Sequence, residues 1–217
     1  ESPEYLRLSL AAAMVLGFKT GKFYRGAELK CMNLLMTYEE GCHANCAYCG
    51  LQKVRSGEYT KKSFIRVEWP IHSLDDIIER IEKYRNKVMR ICLSQITNPR
   101  VPDHTRVIID KLKKLNIPIS ILMCPTIISN ADLEYYKESG VDMVGIALDL
   151  ATPILFDKYR GNGVKGPHRW HDYDGILNEA LTIFGKNRVG VHLIVGIGES
   201  EKDMVSLMQN TKDRGGL

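Results

Sequence analysis

The chain has 217 residues, of which 44% are hydrophobic, so it is long and apolar enough to form one sizeable core and is not a disordered chain. Its 30 basic and 26 acidic residues are spread along the sequence and give a net charge of +4. Without an arginine-rich run interleaved with aromatics, we expect no nucleic-acid partner. The most apolar N-terminal stretch, AAAMVLGF, is too short to cross a membrane and lacks a signal-peptide flank, so we expect a cytoplasmic protein with no membrane partner. In that reducing compartment, six cysteines favour metal or redox chemistry over disulfides.

The first residues of the chain predict a helical extension. Residues 3–16 are interpreted as a helix, with Ser2 as its N-cap and Pro3 as its first residue. We therefore expect residues 1–28 to form an N-terminal helical extension to the main domain.

From residue 29 onward, strand and helix patterns alternate. The predicted strands are 29–38, 88–95, 117–124, 142–150 and 188–196, and the predicted helices are 72–87, 105–116, 130–140, 171–185 and 200–212. We expect Ser73 and Asn130 to cap their helices and Gly140 to end one. The strands are almost continuously apolar, which is typical of a parallel sheet buried on both faces.

This succession of five βα units predicts an α/β fold, an open partial (βα) barrel of parallel strands with outer helices. In such barrels the chemistry takes place at the carboxyl ends of the strands. The pattern stops after the fifth helix, so we expect the barrel formed by residues 29–217 to be incomplete at its C-terminal end.

Three cysteines follow the first of these strands in the loop GCHANCAYCG, residues 41–50. Cys42, Cys46 and Cys49 have the spacing C-x3-C-x2-C. A structural zinc ion needs four ligands, and no second cysteine or histidine pair follows at the usual spacing. A 4Fe–4S cluster held by three thiolates leaves one iron open for a small molecule, so the spacing favours a cluster, with zinc and three unligated cysteines as the alternatives.

This spacing, with the aromatic Tyr48 just before the third cysteine, resembles the signature of the radical S-adenosylmethionine (AdoMet) superfamily. The resemblance implies that the open iron binds the amino and carboxylate groups of AdoMet. It also implies reductive cleavage to methionine and a 5′-deoxyadenosyl radical, which abstracts a hydrogen atom from the substrate. An electron donor such as ferredoxin or flavodoxin would then be a partner.

Two later segments resemble biotin synthase and extend the likeness over residues 29–212. IVGIGESEKD resembles the motif that passes the adenine in that family, which implies a backbone contact from Ile197. The alternative is a plain strand-to-helix turn capped by Ser200. ALDLATP resembles a segment whose aspartate contacts the ribose, which implies that role for Asp149, although Ala147 stands where the family has an asparagine.

Two polar segments supply further candidate AdoMet ligands. SQITNP falls where the superfamily holds the AdoMet amino group, although the usual Gly-Gly-Glu run is absent; its polar side chains are Ser94, Gln95 and Thr97. YRGNGVKGPHRWHDY is a loop over the mouth of the predicted barrel, and its candidates for binding AdoMet or the substrate are Arg160, His168 and Arg169. The alternative is a helix-entry loop held by hydrogen bonds.

The remaining cysteines suggest a second, auxiliary cluster. Biotin synthase holds such a cluster with cysteines from strands two, three and five, and Cys92 and Cys124 match the first two. The third position is Gly190, which Cys31 or, as a weaker candidate, His192 would replace. The alternative is that these are ordinary buried cysteines.

The segments NLLMTYEEGCHANCAYCGLQ, SQITNPR and GPHRW are similar to the two-protein lipoyl synthases. That resemblance implies sulfur insertion into an octanoyl chain on a lipoyl-carrier protein, with a paralogous radical AdoMet protein as partner. The alternatives are a biotin synthase-like or non-sulfur radical enzyme acting on a small molecule, and an iron–sulfur electron-transfer protein, which would normally have four cysteine ligands.

Overall fold

The computed structural model describes residues 1–58 and 67–217. Its strands are β1 (Tyr5–Leu8), β2 (Cys31–Met36), β3 (Ile71–Ser73), β4 (Arg90–Ser94), β5 (Ile119–Met123), β6 (Met143–Asp149) and β7 (Val189–Leu193). Its α-helices are α1 (Leu10–Val15), α2 (Leu74–Lys83), α3 (Val101–Leu112), α4 (Asn130–Glu138), α5 (Pro153–Tyr159), α6 (Trp170–Phe184) and α7 (Glu201–Asp213). None of the helices in these ranges is both long and apolar enough to cross a membrane.

All seven strands form one sheet in the order β3-β1-β2-β4-β5-β6-β7. The parallel strands lie side by side in chain order; they are β2, β4, β5, β6 and β7. Strand β1 pairs antiparallel with both β2 and β3. The sheet is not closed, so the predicted open α/β arrangement is confirmed. Every strand and helix predicted from residue 29 onward is present within four residues of its predicted bounds.

The two faces of the parallel sheet differ in burial. On β4 and β5, Ile91, Leu93 and Ile121 are fully buried, whereas Cys92 and Ser120 alternate with them and are only half-buried. Crossovers of the usual hand between consecutive strands place the helices on one face. The prediction that both faces of the strands are buried is therefore wrong for one face. The half-buried residues line that inner face of the sheet.

The predicted helix over residues 3–16 is wrong in its first half. β1 pairs with β2, with Leu6 opposite Met36, and α1 begins only after Ser9, whose hydroxyl accepts a hydrogen bond from a backbone N–H of the first turn at 3.2 Å. Ser2 is not an N-cap; its hydroxyl accepts a hydrogen bond from the Thr37 N–H at 3.0 Å. Pairing with a distant strand overrides the local helical pattern, so residues 1–28 are not a purely helical extension.

Helix caps explain where most helices begin. Ser73 caps α2 as predicted. α4 is capped by Ser129 and not by Asn130, because Ser129 and Asp132 form a reciprocal capping box. Helix α5 was not predicted, although Thr152 followed by a proline is a common N-terminal signal and its hydroxyl caps the helix.

Candidate iron–sulfur and cofactor site

The three-cysteine loop follows β2 and lies at the carboxyl ends of the parallel strands. Two backbone hydrogen bonds fix it there: His43 N–H donates to the Thr97 carbonyl at 2.7 Å, and Ala47 N–H donates to the Tyr159 carbonyl at 2.8 Å. Thr97 follows β4, and Tyr159 ends α5. The loop is therefore held between the segments that follow β4 and β6.

The three thiols of this loop are neighbours in a largely buried setting. Burial raises the pKa of Cys46 to about 12, and the nearby thiols of Cys49 and Cys42 add to that shift while the Arg160 guanidinium opposes it. Burial likewise raises the pKa of Cys49 to about 11 and raises that of Cys42. Metal ligation requires thiolates, so iron binding here must displace protons.

The geometry of the loop bears on which group it can hold. Across residues 1–58 and 67–217, no three or more His, Cys, Asp or Glu side chains are arranged to hold a metal ion. The thiolates of a 4Fe–4S cluster bind separate irons, so a cluster needs three neighbouring thiols that do not converge on one point. Cys42, Cys46 and Cys49 have that chemistry and that proximity, and the donor set fits a cluster.

A cavity of about 430 Å³ lies beside the loop. Its lining residues come from the cysteine loop, the end of α5 and the turn after β7, namely Ala47, Tyr48, Tyr159, Gly196, Ile197 and Gly198. Gly196 and Gly198 have φ of +93° and +104°, a conformation that side chains rarely adopt, so the turn requires glycine. The carboxylate of Glu199, which sequence reasoning missed, accepts hydrogen bonds from the N–H groups of Gly196 and, at 2.8 Å, of Ile197.

A buried ion pair lies next to Tyr48. Asp149, at the end of β6, accepts hydrogen bonds from the guanidinium of Arg160, from the Tyr48 hydroxyl at 2.8 Å and from His192 Nδ1 at 2.9 Å. Only 7% of Asp149 and 5% of Arg160 is exposed. Asp149 also has a positive φ of +68°, a strained conformation of the kind found at functional sites. Three of the predicted cofactor residues thus meet here.

The ion pair continues into a buried polar chain. Arg160 Nη2 donates to the Tyr173 hydroxyl at 2.9 Å, which lies 3.2 Å from His168 Nδ1. His168 Nδ1 also lies 2.6 Å from the Thr126 hydroxyl. Burial, with the charges of Arg160 and Arg169, lowers the pKa of His168 to about 3, so the ring is neutral at physiological pH. Sequence reasoning missed Tyr173, whose only signal is its position on the buried face of α6.

One predicted cofactor residue, Gln95, is engaged by the protein itself. Gln95 donates its amide hydrogens to Thr105 Oγ1 at 3.1 Å and to the Tyr136 hydroxyl at 3.0 Å, and its oxygen accepts from the Cys124 N–H at 3.3 Å. Both donors are used inside the fold, so we do not retain Gln95 as a ligand of AdoMet.

Two further predicted cofactor residues, Arg169 and Ser94, take no part in the hydrogen bonds of the ion pair between Asp149 and Arg160. Arg169 Nη1 donates to the carbonyls of Gly166 at 2.9 Å and of His168 at 2.7 Å, which holds the loop before α6. Ser94 lies two residues after Cys92 on β4, on the same half-buried face of the sheet. Their proposed contacts with AdoMet stay predictions.

The three cysteines predicted for an auxiliary cluster do not come together. Cys31 Sγ donates a hydrogen bond to Asn33 Oδ1 at 3.9 Å, and the interaction of the neighbouring Cys31 and Cys92 thiols raises the pKa of Cys31 and lowers that of Cys92. Cys124 lies elsewhere, with its Sγ 3.2 Å from Thr97 Oγ1. His192 is turned toward Asp149. The auxiliary cluster stays a prediction. Cys124 follows the last residue of β5, where strand alternation does not fix the direction of its side chain.

The fold and the cysteine loop define a class of iron–sulfur enzymes built on an open βα barrel. The profile of the Radical SAM superfamily matches residues 36–210, and the chain belongs to that superfamily. Members use a 4Fe–4S cluster and AdoMet, so these two predicted cofactors are confirmed at the level of the family, whereas the auxiliary cluster stays a prediction. No curated protein matches the sequence.

Solved structures share the fold at low sequence identity. Methylornithine synthase (PylB) superposes with a TM-score of 0.62 at 14% identity, over 94% of this chain and 55% of its own. HydG, a maturase of the FeFe-hydrogenase, superposes with a TM-score of 0.58 at 14% identity, over 93% of this chain and 43% of its own. The radical AdoMet methyltransferase TsrM from Kitasatospora setae, with cobalamin and a 4Fe–4S cluster bound, superposes with a TM-score of 0.52 at 10% identity. The superposition covers 84% of this chain and 34% of TsrM. The chain thus spans about half the length of these structures or less.

Proposed function

We propose that the chain binds a 4Fe–4S cluster through Cys42, Cys46 and Cys49 and binds AdoMet in the adjoining cavity. The observation that carries this proposal is that the cysteine loop and the turn at Ile197, which the sequence assigns separately to the cluster and to the adenine, line one cavity. When bound, the cluster supplies one electron to AdoMet, whose cleavage gives methionine and the 5′-deoxyadenosyl radical.

The residues around the cavity have distinct tasks in this proposal. Asp149 accepts the ribose hydroxyls, and in the structure its oxygens already accept from Arg160, Tyr48 and His192. The side chain of His192 is half exposed, so it is the partner that a ribose hydroxyl displaces most easily. Arg160 and Tyr48 then keep the buried carboxylate oriented. The glycines of the turn after β7 let the backbone approach the adenine closely.

The substrate is proposed to bind on the concave inner face of the sheet, beneath this cavity. Half-buried polar side chains project there from adjacent parallel strands, among them Asn33, Cys92 and Ser120. They offer hydrogen-bonding groups and thiols within the barrel, while the buried apolar residues of the same strands pack against the helices. These side chains would hold and orient the substrate beside the bound cofactors.

Within this class, we propose sulfur insertion into the octanoyl chain of a lipoyl-carrier protein. Support comes from the resemblance to two-protein lipoyl synthases and from the thiol pair of Cys31 and Cys92 on the inner face. An auxiliary cluster at this pair needs further ligands in place of Cys124. A paralogous radical AdoMet protein, a ferredoxin or flavodoxin as reductant, and a cytoplasmic location belong to the same proposal.

The second candidate is a biotin synthase-like or non-sulfur reaction on a small molecule. The contact of Cys124 with Thr97, which is hydrogen-bonded to the three-cysteine loop, favours it, because the proposed sulfur donor then needs another ligand in place of Cys124. A pure electron carrier is the non-enzymatic candidate, and it would not cleave AdoMet.

Two measurements test the proposal at its two levels. Equilibrium dialysis with the iron-loaded protein tests the site: Asp149→Asn should weaken AdoMet binding with the iron content unchanged, because a hydrogen bond to a charged group contributes about 1.5–3 kcal/mol. Unchanged affinity would remove Asp149 from the site. An octanoylated carrier protein with a deuterated acyl chain tests the substrate: deuterium should enter 5′-deoxyadenosine and the carrier should gain sulfur. Cleavage of AdoMet without either change would favour the small-molecule candidate.

A further inference from the structure

A fourth thiol lies beside the three-cysteine loop. The Sγ atom of Cys124 is 3.2 Å from Thr97 Oγ1, and the carbonyl of the same Thr97 accepts a hydrogen bond from the His43 N–H of the loop at 2.7 Å. Cys124 also lies close enough to Cys46 for the charges of the two sulfurs to interact. Cys124 is 4% exposed. Thr97 therefore joins Cys124 to the loop that contains the other three thiols.

The surroundings of Cys124 favour a fixed sulfur. Its backbone N–H donates to Gln95 Oε1 at 3.3 Å, which holds the residue where it leaves β5. Its Sγ lies 3.8 Å from the Tyr173 hydroxyl and 4.0 Å from His168 Nδ1. These polar neighbours are unusual for a cysteine that only fills a core, since such a cysteine behaves as a small apolar group.

A second observation points to an anionic group at the same place. Arg160 is 5% exposed, and its Nε is one of the few buried side-chain nitrogens without a hydrogen-bond partner among the described residues. Its charge acts on both Cys46 and Cys124. A buried donor without a partner is destabilising, and an anionic thiolate–iron centre between these cysteines would offer it an acceptor.

We propose that Cys124 is an exchangeable fourth ligand of the cluster, which binds the iron left open by Cys42, Cys46 and Cys49 when AdoMet is absent. This inference rests on the proposed cluster site. As the Cys124 sulfur binds iron, its S–H bond breaks and the proton leaves to the buffer. When the amino and carboxylate groups of AdoMet take that position, the Cys124 thiolate is released and regains a proton. No electron is transferred in either step.

Two consequences follow for the protein without AdoMet. A cluster with four thiolate ligands resists loss of iron on mild oxidation, whereas one with three thiolates loses its open iron first. The thiolate of Cys124 also competes with AdoMet, so the apparent affinity for AdoMet is reduced by the fraction of protein that has Cys124 bound. If that fraction is about nine-tenths, removal of the thiol tightens apparent AdoMet binding about tenfold.

The experiment compares wild-type protein, Cys124→Ala and Cys124→Ser after anaerobic loading with isotopically enriched iron. Mössbauer spectra with and without AdoMet report the ligation of the fourth iron, and electron paramagnetic resonance after mild oxidation reports three-iron product. In the wild type, AdoMet should change the spectrum of one iron site and three-iron product should be scarce. In Cys124→Ala, the distinct iron should be present before AdoMet is added, three-iron product should form, and the dissociation constant should fall about tenfold.

The control is Gly175→Ala in α6, where an added Cβ meets no atom within 4 Å, and it should leave the AdoMet-dependent changes as in the wild type. Equal three-iron yields and equal AdoMet affinities in the wild type and Cys124→Ala would overturn the inference while the cluster site stands. A wild-type protein that binds no iron would instead overturn the proposed site. If the alanine variant does not fold, the wild-type spectra alone decide, because a distinct iron present before AdoMet is added contradicts a fourth thiolate.

Discussion

Replacing Arg160 by methionine should destabilise the protein by about 3 kcal/mol. The guanidinium and the Asp149 carboxylate form a salt bridge in which 6% and 10% of the two side chains are exposed. Removing one partner of such a pair costs about 3–5 kcal/mol, because it leaves a buried charge without compensation. The lower end applies here, since Tyr48 and His192 still donate to Asp149.

The assay is thermal unfolding of the wild type and three variants at one fixed scan rate. In a protein of this size, 1 kcal/mol corresponds to about 2–4 °C, so Arg160→Met should lower the melting temperature by about 6–12 °C. The double variant Asp149→Asn with Arg160→Met should recover much of that loss, because it removes both charges. A shift below about 3 °C, or a double variant as unstable as the sum of the two single variants, would refute the reasoning.

Three further predictions concern the cysteines and the loop before α6. Cys46→Ala should lose most of its iron in a colorimetric assay, since cluster assembly fails without this ligand, and full iron content would count against the loop as the cluster site. In metal-free protein, alkylation of Cys92 followed by mass spectrometry should level off well below the ordinary thiol pKa of about 8.5, because the interaction with the neighbouring Cys31 thiol lowers the pKa of Cys92; an ordinary pH profile would argue against the thiol pair. Gly166→Ala should cost about 1–3 kcal/mol in urea unfolding, because a Cβ there would lie 2.4 Å from the Arg160 carbonyl oxygen. Its matched control, Gly175→Ala within α6, meets no atom within 4 Å and should stabilise the helix by about 0.5–1 kcal/mol; equal effects of the two changes would contradict the crowding argument.

The parallel part of the sheet was predictable because its information is local. Each βα unit has an apolar strand, a polar turn and a capped amphipathic helix, and Ser73 and Ser200 mark two of the helix starts. The N-terminal strand was not predictable in this way. Leu6 and Leu8 fit a helical pattern as well as a strand, and only pairing with β2, which lies about 28 residues further along the chain, decides between them.

The site was predictable residue by residue but not as an arrangement. The cysteine spacing indicated the loop, and the resemblance indicated Asp149 and Ile197. That Tyr48, Asp149 and Arg160 share hydrogen bonds depends on three segments that meet only after folding. The position of Cys124 is a similar case, because its side chain follows the end of a strand and no periodicity fixes its direction.

The most direct test of the central claim is reductive cleavage of AdoMet by the anaerobically iron-loaded protein. With dithionite as reductant, the wild type should form 5′-deoxyadenosine and methionine in equal amounts, as measured by liquid chromatography and mass spectrometry. Cys46→Ala treated in the same way should form neither. A wild-type protein that has full iron and sulfide content and binds AdoMet, but forms no 5′-deoxyadenosine under these conditions, would contradict the account.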